Sequence, residues 1–190
     1  MKIRHLWVSG LLGLAAVTAW GQGSGLDINV SNNAARVSYD SQIGYSGLDF
    51  LFQGLHNTDA GNIAGIGLGL RANANPGGAP ITAILGAKAL WLDPSYTGIS
   101  SGYVVALGGG VEFALPAYNR LVFGGYLYWA PNITSFSNAD RYLALEARAG
   151  YRLMPNGTIY LGYRHMTARF KGTDSLVMDN GFNIGFSIRF

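Results

Sequence analysis

The 190-residue sequence contains no cysteine, and only 12% of its residues are charged. The absence of cysteine excludes a disulfide scaffold and thiol chemistry. With 49% hydrophobic residues, the composition is far from that of a disordered chain, so we expect the chain to fold. Beyond the first twenty residues there is also no unbroken run of about 18 apolar residues, which excludes a membrane-spanning helix there.

The amino-terminal segment has the features of a secretory signal peptide. Lys2 and Arg4 precede an apolar run that ends at Trp20, and small residues stand before the predicted cleavage site after Gly21. A transmembrane anchor is the alternative, but about 15 apolar residues are too few to cross roughly 30 Å of hydrocarbon. We therefore predict a signal peptide over residues 1–21 and one domain over residues 22–190.

Little net charge remains once this segment is removed. The 13 Lys and Arg residues fall to 11 without Lys2 and Arg4, against 10 Asp and Glu residues. No basic cluster is present, so nucleic acid is not an expected partner. The remaining histidines, His56 and His165, are too few and too far apart for a histidine metal site, and we expect no cofactor.

The rest of the chain consists of alternating segments typical of β-strands, separated by turn-forming residues. The ten predicted segments are residues 26–30, 36–40, 47–55, 63–71, 81–92, 103–115, 120–130, 142–153, 158–170 and 181–190. Several reach the 9 to 11 or so residues that a tilted transmembrane strand needs. The pattern predicts an all-β fold, an antiparallel up-and-down transmembrane β-barrel of about ten strands. Eight strands are the alternative, if the hairpin from Leu26 to Tyr39 lies outside the wall.

The connections alternate in length in the second half of the chain. The short turns "PAYN" and "MPNG" alternate with the longer polar stretches "DPSYTGISSG", "PNITSFSNAD" and "KGTDSLVMDN". Bacterial outer-membrane barrels have short periplasmic turns and longer outer loops. We therefore expect both ends of the barrel domain in the periplasm, with "NANPGGAP" as one long periplasmic connection.

Alternate residues within the predicted strands form one apolar face and one face of small or charged residues. Apolar-out and polar-in is the arrangement of a barrel in lipid, whereas a water-soluble barrel needs the reverse. Aromatic residues at strand ends on the apolar face favour lipid, because such girdles mark membrane interfaces; a sandwich core of aromatics is the alternative. The predicted girdle consists of Trp91, Tyr103, Phe113, Trp129 and Tyr151, together with Phe190.

The closing segment "NIGFSIRF" carries a candidate assembly signal. Its residues Asn183, Gly185, Ile188 and Phe190 resemble the carboxy-terminal pattern by which the outer-membrane assembly machinery accepts its clients. We therefore expect a monomer in the bacterial outer membrane. Its expected partners are outer-membrane lipid and lipopolysaccharide, with the assembly machinery during biogenesis.

Longer stretches resemble the YfaZ family of proteobacterial outer-membrane proteins. They are "NAARVSYD", "YWAPNITSFSNADRYLALEARAGYRLMPNGTIYLGYRHMTARF" and the amphipathic closing strand. The resemblance covers nearly the whole chain after the signal peptide and is clearest from Leu121 to Phe170. It implies an outer-membrane barrel of few strands and supplies no reaction.

Charged residues form a cluster on the predicted inner face. They are Lys88, Glu112, Glu146, Arg148, Arg152, Arg164 and Arg189. We expect Glu146 and Arg148 to lie across from Arg164, where opposite charges can pair in a poorly solvated lumen. The cluster is either the lining of a small channel or a salt-bridged plug, and we favour the plug because barrels of about eight strands are filled by side chains. The glycine-rich "GIGLGL" and "GGGVEF" are interpreted as small residues packed inside a narrow barrel.

The stretch "YRHMTARF" offers a second candidate site, on the outward face. His165 and Thr167 partially resemble the His-x-Ser-Asn pattern of outer-membrane lipid A deacylases, but threonine replaces serine and Ala168 replaces asparagine. Both departures count against catalysis, so we expect no enzyme. We interpret His165, with Arg169 and Lys171, as a contact to lipopolysaccharide phosphate.

The expected function is that of a structural or surface-interaction barrel with a largely plugged lumen. A small porin-like channel is the first alternative, and a lipid A-modifying esterase is the second.

Replacing Phe190 with serine tests the assembly signal. We expect less folded barrel in the outer membrane, because the variant loses the terminal aromatic group of the pattern. The measurement is the amount of heat-modifiable protein in isolated outer membranes, with Phe182→Ser as a control on the same face of the same segment. Normal amounts of heat-modifiable Phe190→Ser protein would refute the assembly role.

Overall fold

The computed structural model describes residues 23–44 and 46–190, which are almost entirely β-structure. The predicted signal peptide lies outside the described residues and stays a prediction. The strands are β1 (Gly25–Val30), β2 (Ala34–Ile43), β3 (Leu48–Asn57), β4 (Gly61–Ala74), β5 (Ile81–Pro94), β6 (Gly102–Leu115), β7 (Tyr118–Ala130), β8 (Ser135–Ser137), β9 (Ala139–Met154), β10 (Gly157–Phe170) and β11 (Ser175–Arg189). Within these residues, no helix has the length and apolar character needed to cross a membrane.

Ten of the strands close into an antiparallel barrel. Strand β1 pairs with both β2 and β11, and the pairing of β5 with β6 completes the ring. The short β8 belongs to a connection and pairs with the start of β6. The ten-strand prediction is therefore confirmed. The eight-strand alternative is wrong, because the hairpin of β1 and β2 is hydrogen-bonded into the wall between β3 and β11.

The two ends of the barrel carry different connections. We call the end where β1 begins and β11 finishes the terminal end; it carries the turns 44–47, 75–80, 116–117 and 155–156. The opposite end, the loop end, carries the connections 31–33, 58–60, 95–101, 131–138 and 171–174. The last of these is shorter than expected, because β11 begins at Ser175 and residues 175–180 form part of the wall.

The outward face is apolar along the strands. Large hydrophobic side chains stay exposed there, among them Leu85 at 71% and Phe182 at 80%. So extensive an apolar surface is stable in lipid and not in water. The predicted girdle residues all lie on this face, with Trp91, Tyr103 and Trp129 towards the loop end and Phe113, Tyr151 and Phe190 towards the terminal end.

The barrel interior can be narrow because some inward-facing glycines lie directly against large side chains. The ring of Tyr160 lies against Gly185, so that a Cβ on that glycine would overlap the ring. Strand β11 also contains a bulge opposite Met166 and Thr167. As a result Met178 and Asp179, although adjacent in sequence, are both buried.

Candidate functional site

Apolar side chains fill the loop-end half of the barrel interior. We call this group, contributed by strands β3 to β7 and β9 to β11, the apolar cluster. Its largest fully buried members are Ile63, Leu90, Leu92, Tyr142, Phe170 and Met178. Leu92, Phe170 and Met178 are 0% exposed, so none of these three side chains contacts solvent.

Below the apolar cluster lies a network of ion pairs centred on β1 and β2. Arg36 donates two hydrogen bonds to Glu146, at 2.5 and 2.8 Å, and its guanidinium lies 3.6 Å from Asp27. Arg148 lies 3.3 Å from Asp27 and also pairs with Glu112. Asp27 therefore joins two arginines that come from different parts of the wall. We call these five residues, with the groups bound to them, the charge network.

The charge network continues to β10 and β11 through an asparagine. Asn29 donates to Asp27 at 3.1 Å and accepts from the guanidinium of Arg164 at 2.7 Å. The Nε atom of Arg164 lies 2.5 Å from an oxygen of Asp179. Arg164 is fully buried, at 0% exposure, so its charge depends on these two partners.

A second group of charges lies nearer the terminal end. Arg71 binds Asp40 at 2.8 Å and also pairs with Asp49, while Arg189 pairs with Asp40 as well. These four residues come from β2, β3, β4 and β11. They lie on the inward side and line the same space as the charge network.

That space is a cavity of about 130 Å³. A second cavity, of about 140 Å³, lies beside the turn at residues 155–156 and shares Arg148, Ser187 and Arg189 with the first. The interior thus combines an apolar half at the loop end with a half at the terminal end that is charged and contains open space.

The structure places all seven predicted charged residues on the inward face. Lys88, Glu146, Arg148 and Arg189 line the first cavity, Glu112 and Arg152 line the second, and Arg164 is buried beside Asp179. The guanidinium of Arg152 donates to the carbonyl of Asn119. The functional role of these residues stays a prediction.

The expected ion pair between Glu146 and Arg164 does not form. Glu146 does stand opposite Arg164 in the register of β9 and β10. Each side chain nevertheless binds a residue from elsewhere in the barrel, because the narrow interior brings β1, β2 and β11 within reach.

Sequence analysis missed the partners that complete these ion pairs. They are Asp27, Asn29, Arg36, Asp40, Asp49, Arg71 and Asp179. In β1, Asp27 and Asn29 alternate with the apolar residues at positions 26, 28 and 30. This alternation is a sequence signal that Asp27 and Asn29 face the interior. Asp179 has no such signal, because it lies in the polar stretch "KGTDSLVMDN", where a bulge interrupts the alternation of β11.

The predicted assembly residues occupy both faces of β11. Asn183 is buried inside at 3% exposure, Gly185 packs under Tyr160, and Phe190 is 51% exposed outside on the same face as Ile188. The backbone N–H of Phe190 donates to the carbonyl of Ser24 at 2.9 Å, so the pairing of the last strand extends to this residue.

In the outward site, the hydrogen-bond partner of His165 is an amide. His165 Nδ1 lies 3.1 Å from Asn180 Oδ1, which also accepts the hydroxyl of Tyr163 at 2.8 Å. Arg169 lies 3.7 Å from Asp140, and Lys171 is exposed just beyond β10. Within the described ranges, no group of three or more metal-ligating side chains forms.

Comparison with known proteins finds relatives along nearly the whole chain. A family model described as YfaZ precursor matches residues 3–190. The outer membrane protein YfaZ of Escherichia coli (strain K12) is 30% identical over 193 residues, covering 97% of this chain and 100% of that protein.

Solved barrels are similar at much lower identity. The KdgM porin has a TM-score of 0.44 at 9% identity and the NanC porin one of 0.39 at 12% identity; each match covers 88% of this chain and 99% of the porin.

Replacing Asp27 with asparagine tests the charge network. We expect a loss of about 1.5 to 3 kcal/mol in the free energy of unfolding, because Arg36 and Arg148 each lose one carboxylate partner and keep the other, Glu146 and Glu112 respectively. The measurement is the urea unfolding midpoint of the refolded barrel in detergent. Asp174→Asn, an exposed carboxylate in the connection before β11, is the matched control. Equal midpoints for the two variants would contradict the central role of Asp27.

Proposed function

The chain belongs to the YfaZ family of bacterial outer-membrane proteins, and we propose that it is a barrel that does not conduct. It is a β-barrel protein of the outer membrane. In this proposal its own side chains largely close the lumen, and it serves as a structural or surface-interaction protein.

The observation that carries this proposal is the dryness of the apolar cluster. Leu92, Phe170 and Met178 have no exposed surface although they point into the barrel. An ion crossing this layer would lose its hydration without gaining a polar partner, which costs many kcal/mol. The layer therefore acts as a barrier even though the half beneath it contains open space.

The pairing of the interior charges supports the same proposal. A charged pore lining attracts ions when its charges face water without counter-charges. Here Arg36, Arg148 and Arg164 each have a carboxylate within 4 Å. Such paired groups fill space and hold strands together, as in the salt-bridged plug favoured from the sequence.

The outward groups near the loop end support a contact with lipopolysaccharide. His165, Arg169 and Lys171 lie on one flank of β10, above the apolar residues Ile159 and Leu161. In our proposal the loop end faces the cell exterior, where phosphate groups of the outer leaflet meet these side chains. The barrel is a monomer without nucleic-acid partners, and the assembly machinery binds it during biogenesis.

A small channel is the second candidate function. It is favoured by the two cavities in the terminal half, which together extend from the turn at residues 155–156 to the underside of the apolar cluster. Conduction would then require the apolar cluster to move aside.

We infer no enzymatic activity. In serine and cysteine hydrolases, a carboxylate or an amide orients the histidine that activates the nucleophile. Asn180 binds His165 and could orient it, but the described residues show no hydrogen bond between His165 and Thr167, so the hydroxyl has no base to activate it.

Single-channel recording tests the closed lumen. The wild-type barrel, refolded and inserted in planar bilayers, is expected to give no steady conductance. The double variant Tyr142→Ala and Phe170→Ala is expected to conduct, because it removes two aromatic side chains from the apolar cluster.

A control pair separates pore opening from general destabilisation. Tyr151→Ala and Phe182→Ala remove two outward aromatic side chains and should leave the barrel silent. Steady wild-type conductance, or silence of an inserted Tyr142→Ala and Phe170→Ala variant, would contradict a lumen closed by these side chains.

Replacing His165 with alanine tests the absence of esterase activity. The acylation of lipid A, measured by mass spectrometry of lipid extracted from expressing cells, should be the same for the variant, the wild type and cells without the protein. Cleavage of an acyl chain by the wild type that the variant lacks would establish an enzyme and refute our inference.

A further inference from the structure

The cavity in the terminal half has a wall without side chains. Gly67 and Gly69 of β4 face inward there, next to Gly86 of β5 in the strand register. A Cβ on Gly67 would lie 3.1 Å from the carbonyl oxygen of Ala87 and 3.2 Å from Cγ of Lys88. Gly67 and Gly69 therefore place no side chain in the cavity, and a larger residue at Gly67 would both crowd β5 and take up cavity space.

Lys88 stands beside this glycine wall without a carboxylate. Its Nζ atom lies 3.1 Å from Gln53 Oε1 and 3.8 Å from the centre of the Tyr128 ring. The four arginines that line the cavity each have a carboxylate oxygen within 4 Å. Among the described residues, none supplies one to Lys88 at that distance, so Lys88 has the capacity to bind an added anion.

Two buried polar atoms of the same lining also lack hydrogen-bond partners. They are the Nε donor of Arg36 and the Oδ1 acceptor of Asp49, within the described part of the chain. Arg36 is 9% exposed and Asp49 is 4% exposed. Buried polar groups without partners are rare and costly, and a ligand that supplies both an acceptor and a donor would satisfy them.

The cavity volume limits the size of such a ligand. A cavity of about 150 Å³ holds a benzene-sized molecule. The 130 Å³ here therefore suits a solute of about six non-hydrogen atoms.

We propose that this cavity binds a small carboxylic acid that also carries a hydrogen-bond donor, of the amino-acid or hydroxy-acid class. The carboxylate binds Lys88, and the amine or hydroxyl donates to Asp49. The ligand enters from the terminal end, since the apolar cluster occupies the loop half. Binding at this site does not depend on whether the barrel conducts, so its test is separate from the conductance experiment.

Lysine-selective NMR reports on this site directly. The sequence contains three lysines, Lys2, Lys88 and Lys171, so a protein labelled with ¹³C at lysine Cε gives few signals. The refolded barrel in detergent micelles is titrated with L-alanine, lactate, acetate and methylamine. We expect saturable shifts of the Lys88 signal with alanine and lactate and none of the Lys171 signal. The affinities for acetate and methylamine should be lower than those for alanine and lactate by a factor on the order of ten or more, because each lacks one of the two polar groups.

Matched variants assign the effect to the cavity. Lys88→Met removes the Lys88 signal, and calorimetry should show alanine binding lost in this variant and kept in Lys171→Met. Gly67→Val fills the glycine wall and should abolish binding. Gly54→Val is the control and should leave alanine binding unchanged, because a Cβ on this glycine of β3 meets no atom within 4 Å.

Three results would contradict the proposal. An unchanged Lys88 signal with all four probes up to tens of millimolar would refute an acid-binding site. Equal affinity for acetate and alanine would refute the role of Asp49. Undiminished binding by a folded Gly67→Val variant would place the ligand outside this cavity.

Discussion

The pairing of Asp27 with Arg36 and Arg148 is the interaction on which the interior depends. Inside a lipid-embedded wall, an arginine without a counter-charge carries a cost of several kcal/mol. Asp27 lies on the short strand β1, and its two arginines come from β2 and β9. The carboxylate therefore connects the first hairpin to β9, three strands away around the ring, where hydrogen bonds between neighbouring strands do not reach. This ion pairing helps to keep β1, a strand of only six residues, in the wall between β2 and β11.

The bulge in β11 joins the two halves of the interior. A regular strand would send Met178 and Asp179 to opposite faces. The extra residue turns both inward, so that Met178 enters the apolar cluster while Asp179 binds Arg164. One local irregularity therefore supplies both a dry contact and the counter-charge of a fully buried arginine.

The barrel could be predicted from the sequence because alternation has a strict period of two and each strand is apolar on one face. The ten segments, the seven inward charges that were predicted and the outward aromatics all follow from that period. The ion pairs could not be predicted in the same way. Glu146 faces Arg164 across one strand pair, yet it binds Arg36, which is 110 residues away, because partners inside a closed barrel depend on its diameter and shear. Asp179 was missed because a bulge breaks the alternation that identifies a strand.

Inward-facing glycines either let the interior close or leave a cavity, depending on which side chains lie opposite them. Gly185 faces Tyr160, whose ring occupies the space that a side chain would take, so this glycine lets the interior close. Gly67 and Gly69 face the cavity, where the large groups nearby are charged residues held in ion pairs at its margin. An arginine fixed by two carboxylates cannot extend into free space without losing them. The charges that hold the strands together thus also keep the space beside the glycine wall open.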